Sequence, residues 1–261
     1  MKRDLDVELA SAPSPLGDAP ATRAPAVNRA AAILRLLGDA KSPMRLTSIA
    51  QAAGIVPSSC YHILNALVDE GLVVLDEQKR YQIGLGIVSI AKDMISIGTP
   101  IHFVQHEVDL LAKSFDVTCV CTQLNEDQSV VVAVAHGPGL FGVRLEVGRR
   151  STGFSGAAGR CNAAHSQLSV VNLRRKFDEI SWADPPDFDT WLAEIEEVRR
   201  TGVAADIGQR VRGYSIYASP IFENGRVARA LAAIFSTGQL TASVEADLMA
   251  QLREAALRLS T

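Results

Sequence analysis

Cysteine is scarce in this chain of 261 residues, and the four present, Cys60, Cys119, Cys121 and Cys161, are scattered without a CxxC pair or paired histidines beside them. That excludes a disulfide framework and a zinc ribbon and favours small buried thiols. Cys119 and Cys121 lie two apart, so in a strand they share one face. An excess of positive charge is also missing. The formal net charge is −3, so any contact with nucleic acid must be local rather than spread over the surface. No apolar run is long enough to span a membrane, and the opening "MKRDLDVELASAPSPLGDAPATRAPAV" has no continuous apolar core of a secretion signal. These absences predict a cytoplasmic protein with no membrane partner.

What is present is core material. Hydrophobic residues make up 48 % of the chain, enough for two modest domains. Residues 11–26, rich in Ala, Pro and Ser, fix no periodicity, and a disordered arm is expected over residues 1–24. From Val27, "VNRAAAILRLLGDA" places Val27, Ala30, Ile33, Leu34 and Leu37 on one helical face, with Asn28 as a candidate cap. "LTSIAQAAGI" reads as a second helix, preceded by Thr47 and closed by a turn at Gly54. "IVPSSCYHILNALVDEGLV" makes a third: Pro57 suits a first helical turn, and Ile63, Leu64, Leu67 and Val68 form an apolar stripe. Its other side is polar.

A short helix, a glycine turn and a helix with a polar front form a helix-turn-helix, whose second helix enters the DNA major groove. "LVVLDEQKRYQIG" adds a hairpin turning at Asp76 to Arg80, the wing, which can reach a phosphate through Lys79 and Arg80. Ser58, Ser59, Tyr61, His62 and Asn65 are the candidates for DNA contact, because hydroxyls and amides bond phosphates and base edges. Each has a plainer alternative: Ser58 as a helix cap, Tyr61 as a packed ring, His62 as a surface side chain. Residues 26–82 carry six basic residues (29, 35, 41, 45, 79, 80) against five acidic ones (39, 69, 70, 76, 77). Charge alone does not point to DNA, and an adaptor that binds another protein is the competing reading.

"LGIVSIAKDMISIG" is apolar on more than one side, which suits a linker helix covered by the winged domain and by a partner subunit. Gly98, Thr99 and Pro100 then interrupt the chain. Beyond them lie an amphipathic helix from Ile101, a hairpin turning at "NEDQ", a small-residue helix in "FSGAAGRCNAAH", helical "DTWLAEIEEVRRTG", and two or three strands turning at "ENGR". The pattern is α+β, an antiparallel sheet with helices on its faces. The domains expected are a winged helix-turn-helix at 25–83, a linker helix at 84–99 and a sensor domain at 100–261.

In this order the parts resemble the IclR family of bacterial transcription regulators, over roughly residues 25–240. "NRAAAILRLLGDA…LTSIAQAAGIVPSSCYHILNALVDEGLV…YQIGLGIVSI" carries the resemblance in front, and "FSGAAGRCNAA" with "RRTGVAADIGQRVRGYSIYASPIFENGRVARALAAI" carries it behind. It implies an effector-binding domain of GAF-like fold and a homodimer or dimer of dimers. The sequence departs from the family at His62, where an arginine is common, at Ser58-Ser59, where a Ser-Thr pair is common, and at Val56, where a proline is common.

The same resemblance directs attention to Ser155, Gly156 and Ala157 and to the strands holding Asp206, Tyr214 and Ile216 as the effector site. Free N–H groups at a helix start favour a carboxylate, and Asp206 would accept from a ligand hydroxyl or amine. Tight helix-to-sheet packing is the plainer reason for "SGAAG". His102 and His106 share a helical face, but without a third ligand they read as solvated or interface residues. His136, in a turn, either lines the effector cavity or is exposed. "GFSGAAG" lacks the serine-centred GxSxG spacing and no nucleophile has an evident base, so no enzyme, cofactor or metal is expected. The function expected is a DNA-binding regulator, with repression the expected sign, controlled by a carboxylate or aromatic metabolite of a catabolic pathway.

Overall fold

The computed structural model describes residues 24–96, 99–139 and 143–261, without the side chains of residues 93–96. The arm expected over residues 1–24 lies outside these, apart from Ala24. Two compact units divide the chain between residues 97 and 98.

The front unit opens with α1 (Pro25–Asp39), followed by β1 (Met44–Arg45), α2 (Leu46–Ala52), α3 (Pro57–Asp69), β2 (Val73–Leu75), β3 (Arg80–Ile83) and α4 (Gly86–Ser96). α1 starts earlier than its apolar pattern, because Pro25 has the φ a first turn needs and lacks only an N–H with no helical partner. Ala24 holds the cap position, so the expected cap Asn28 lies inside the helix and is exposed. Thr47 likewise falls within α2, whose cap is Arg45. Gly54 turns the chain with φ +63°, a left-handed conformation that costs glycine little. α3 then begins with Pro57 in its first turn and Val56 at the cap.

Behind these helices, Ile33, Leu37, Ile49, Ile55, Cys60, Leu64, Leu67, Val73 and Tyr81 form one core. Ile33, Cys60 and Leu64 are fully buried, and each of the two large aliphatic side chains stabilises the fold by about 1.5–3 kcal/mol. β1 was not legible in sequence; it pairs with β3, giving the wing a three-stranded sheet in the order β1-β3-β2.

The rear unit contains α5 (Ile101–Phe115), β4 (Thr118–Leu124), β5 (Gln128–His136), β6 (Arg150–Thr152), α6 (Gly156–His165), α7 (Val170–Asp178), α8 (Phe188–Thr201), β7 (Ala204–Ile207), β8 (Tyr214–Glu223), β9 (Arg226–Ser236) and α9 (Ala242–Leu259). Among the described residues its six strands run β6-β5-β4-β9-β8-β7, with every pair antiparallel. α+β is therefore the observed class. β4 and β9 lie centrally and are covered on both sides, so they read as nearly continuous apolar runs.

One face of the sheet packs on α5 and α9 through Val104, Val108, Cys119, Cys121, Leu231, Ala233, Leu248 and Leu252. The other packs on α6 and α8 through Val120, Cys161, Trp191, Ile195, Ala218 and Ala232. Cys119 and Cys121 do share a face, and all four thiols are buried and unpaired. Small residues in α6 let it lie close to the sheet. A Cβ on Gly159 would stand 1.9 Å from the Phe154 carbonyl carbon, so only glycine permits the chain to fold back there.

Candidate functional site

In the front unit, α3 turns Cys60, Leu64 and Leu67 into the core and presents Ser58, Tyr61 and His62 to solvent, with Ser59 and Asn65 half-buried beside them. None of the five makes a side-chain hydrogen bond to another described residue. The Tyr61 and His62 rings meet edge to face, with centroids 5.7 Å apart. Ser58 is not a cap, since Val56 holds that position and α3 has no side-chain cap bond. The first N–H groups of α3 are thus available to an anion, as at other helix starts.

The wing divides its two predicted cations. Lys79 is exposed at the hairpin tip with φ +58°. Arg80 instead holds the turn: Nε donates to Asp76 Oδ2 at 2.8 Å, and its backbone N–H donates to Oδ1 at 2.8 Å. Burial pushes the Asp76 carboxyl up, but the bonds from Arg80 and Gln78 outweigh it and hold the group below the usual carboxylate range. Arg45, which carries no local signal in the sequence, is exposed and stands opposite Arg80 in the β1–β3 register. Only the pairing of a two-residue strand brings these cations together.

In the rear unit, one row crosses five strands at the same level: Asp206, Ile216, Ile234, Thr118 and His136 are successive cross-strand partners. Opposed residues in an antiparallel ladder point to the same side, so the row shares the face on which α6 packs. α6 starts beside its Asp206 end, where a Cβ on Gly156 would be 3.8 Å from Asp206 Oδ2. Ser155, Gly156, Ala157, Asp206 and Ile216 are thereby brought together, and Tyr214 lies two residues along β8, half-buried against the same core. His136 is exposed at the far end of the row, its Nδ1 3.4 Å from the Thr118 hydroxyl. His102 and His106 are exposed on α5, away from this row.

The oxygens of Asp206 are committed to the protein. Oδ2 accepts from Arg160 Nη1 at 3.3 Å, and Oδ1 accepts the backbone N–H groups of Gln209 and Arg210 at 3.1 and 3.0 Å. Asp206 is 1 % exposed and Arg160 is fully buried, so the carboxylate braces the site. Arg160 is also bonded to Glu194 of α8 at 2.7 Å and to the Gln209 side chain. Arg210 reaches back from the loop after β7, and its Nε donates to Ser155 Oγ at 2.8 Å. Burial pushes the Arg210 guanidinium below its ordinary value; Asp206 opposes that shift and neighbouring Arg149 adds to it.

This sets a cation, a hydroxyl and the first turn of a helix beside Asp206, whose cross-strand partner is half-buried Ile216. Arg160 and Arg210 had no sequence signal, since nothing in "GRC" or "GQRVRG" says which arginine turns inward.

A winged helix-turn-helix followed in the same chain by an α+β unit with a polar site on its sheet defines a DNA-binding transcriptional regulator carrying a sensor unit. Comparison with known proteins makes the assignment specific. The model of the IclR helix-turn-helix domain matches residues 26–77, and that of the bacterial transcriptional regulator IclR C-terminal matches residues 99–261. The chain belongs to the IclR family.

Among its relatives, the glycerol operon regulatory protein of Streptomyces coelicolor is 25 % identical over 206 residues, covering 77 % of this chain and 80 % of that protein. The DNA-binding transcriptional repressor YiaJ of Escherichia coli is 20 % identical over 236 residues, covering 87 % and 84 %. The crystal structure of an IclR transcriptional regulator from Alicyclobacillus acidocaldarius superimposes with a TM-score of 0.70 at 26 % identity, covering 92 % of this chain and 98 % of that one. Regulators of this family bind operator DNA and small-molecule effectors, and are not enzymes. No helix among the described residues is long and apolar enough to cross a membrane.

Proposed function

We propose that this chain is a cytoplasmic repressor of a catabolic operon, binding its operator as a homodimer or dimer of dimers and answering to an organic acid, aliphatic or aromatic. The observation that carries the DNA-binding part is the polar front of α3, whose side chains have no bonding partner among the described residues. Ser58, Ser59, Tyr61, His62 and Asn65 contact the operator; Lys79 and Arg45 meet phosphates, and Arg80 shapes the wing for Lys79. Repression is supported by the named repressor among the relatives.

Arg210 supports the choice of an acid. Its Nε is held by Ser155, and its terminal N–H groups form no bond to a described residue, so they are free to grip a carboxylate in a charge-assisted pair. The first-turn N–H groups at Gly156 and Ala157 add to that, Tyr214 and Ile216 supply an apolar wall, and Asp206 keeps Arg210 in place through its backbone N–H. The acid acts by linkage: one that prefers a single arrangement of the sensor unit shifts the population toward or away from operator binding.

Mobility shift on DNA from the chain's own upstream region, at fixed salt and with succinate or benzoate added, tests this reading. A shifted complex whose affinity changes with at least one acid is expected. A shift that no acid alters removes the sensor part, and no shift removes the whole.

A further inference from the structure

A second buried arginine lies on the face of the rear sheet opposite Arg160. Arg229 stands in the interior of β9, 5 % exposed, on the same side of the strand as Leu231 and Ala233, the face covered by α5 and α9. Its three nitrogens reach three separate segments. Nε donates to Gln123 Oε1 of β4 at 2.9 Å, Nη1 donates to the Thr99 carbonyl at 2.8 Å, and Nη2 lies 3.1 Å from Glu223 Oε1 at the end of β8. Glu223 is 8 % exposed. Thr99 is held a second time, its hydroxyl donating to the Leu259 carbonyl at the end of α9 across 2.5 Å. The chain's last residue is tied in as well: Thr261 N–H donates to the Phe222 carbonyl at 2.9 Å, and its carbonyl accepts from Asn224 N–H at 3.1 Å.

Thr99 follows α4 by three residues and precedes α5 by two. It is the first described residue after the boundary between the two units, and Arg229 fixes it to three adjacent strands of the sensor sheet, β4, β9 and β8. Stability alone does not explain such an arrangement. Burying an ion pair costs desolvation, and well-packed apolar side chains in its place are commonly neutral or stabilising. An apolar side chain cannot, however, hold the Thr99 carbonyl.

We propose that Arg229 is a positioning residue for operator binding, pinning the point at which the chain leaves the sensor unit so that the winged domains of an assembly are offered to two half-sites at a defined spacing. This rests on the reading that two copies of the chain bind one operator. When geometry suits both half-sites, the second contact forms at high effective concentration, and that gain is lost when the spacing is no longer held.

The test uses the full chain, a duplex carrying the footprinted operator and a duplex carrying one half-site. Arg229→Met alone strands Glu223 in the core, so the decisive chain carries both Arg229→Met and Glu223→Leu. That double variant is expected to melt close to the wild type and bind the half-site with wild-type affinity. Its preference for the full operator over the half-site should fall by about tenfold or more. Glu223→Gln, which leaves the Thr99 bond in place, should keep the preference whatever its melting temperature.

A double variant with wild-type preference overturns the proposal, as does a preference that follows melting temperature across the three chains, which is the signature of a purely structural role. A wild-type chain that binds the full operator no better than a half-site contradicts the two-copy reading itself. That failure is distinct from the first two, and it too overturns the proposal.

Discussion

Arg210 donates from Nε to the Ser155 hydroxyl across 2.8 Å, so a cation carried by the loop after β7 sits on the residue that opens α6. Trp182 provides a nearby reporter, since the Arg160 guanidinium lies 5.7 Å from its ring and Arg160 is one helical turn beyond Gly156. Titration of tryptophan fluorescence with succinate and with benzoate should therefore register an acid at the site. Arg210→Gln removes a charge-assisted bond worth about 1.5–3 kcal/mol and should weaken acid binding by roughly tenfold or more, leaving operator affinity without acid unchanged. Equal affinity in the variant would take Arg210 out of the site.

Exchanging Ser59 and His62 for alanine should leave the fold intact, because neither side chain belongs to the front core. Loss of base or phosphate contacts costs about 1–3 kcal/mol each, so operator affinity at fixed salt should drop at least about fivefold. Unchanged affinity, with unchanged circular dichroism, would mean that α3 meets DNA through other residues.

Two glycine substitutions should part company. Gly159→Ala drives a methyl to within 1.9 Å of the Phe154 backbone, and the α6 side of the sensor unit should fail to form, seen as lost cooperativity in its melt. At Gly38 a Cβ meets nothing within 4 Å, and Gly38→Ala near the end of α1 should be neutral or stabilise by up to ~1 kcal/mol. Similar melts for the two would contradict the close approach at α6.

Alkaline pH should loosen the rear unit. Burial pushes the Cys119, Cys121 and Cys161 thiols from 9.0 up to about 12, whereas in the unfolded chain they ionise near 9. A pKa raised by folding gives stability that is complete below the unfolded value and is lost as pH climbs toward the folded one. Burial, with the Glu245 bond, likewise raises Tyr217 to about 12. The urea midpoint should hold steady to about pH 9 and fall from there upward. A flat profile from pH 8 to 11 would show that these groups are solvated.

Much of the fold could be read in the sequence because its signals are local. The stripe Ile63, Leu64, Leu67 and Val68, the turn at Gly54 and the "ENGR" hairpin each depend on a few neighbouring residues. α7 and α9 were not anticipated, and neither was the pairing of β1 with β3, which two residues cannot announce.

The row from Asp206 to His136 shows why register is harder. Counting back from the turn at Asn224–Gly225 pairs Phe222 with Val227, and continuing at the same step would set Ile216 against Ala233 on the opposite face. An irregularity between Ile221 and Phe222 shifts the ladder by one, so that Ile216 meets Ile234 instead. A one-residue shift exchanges the two faces of a strand, and nothing in "ASPIFENGRVARAL" marks it. The inward turn of Arg160 and Arg210 was hidden for a related reason: their partners Glu194, Asp206 and Ser155 are 34, 46 and 55 residues distant in sequence.

Whether α3, backed by the wing, reads duplex DNA is decided by fluorescence anisotropy of the full chain with its own upstream DNA over a series of potassium chloride concentrations. Phosphate contacts release counterions, so log affinity should fall linearly with log salt, at a slope reporting several contacts, and the Ser59 and His62 alanine chain should bind more weakly at every concentration. No binding at the lowest salt, or binding insensitive to salt, would mean that α3 and the wing do not dock on a phosphate backbone.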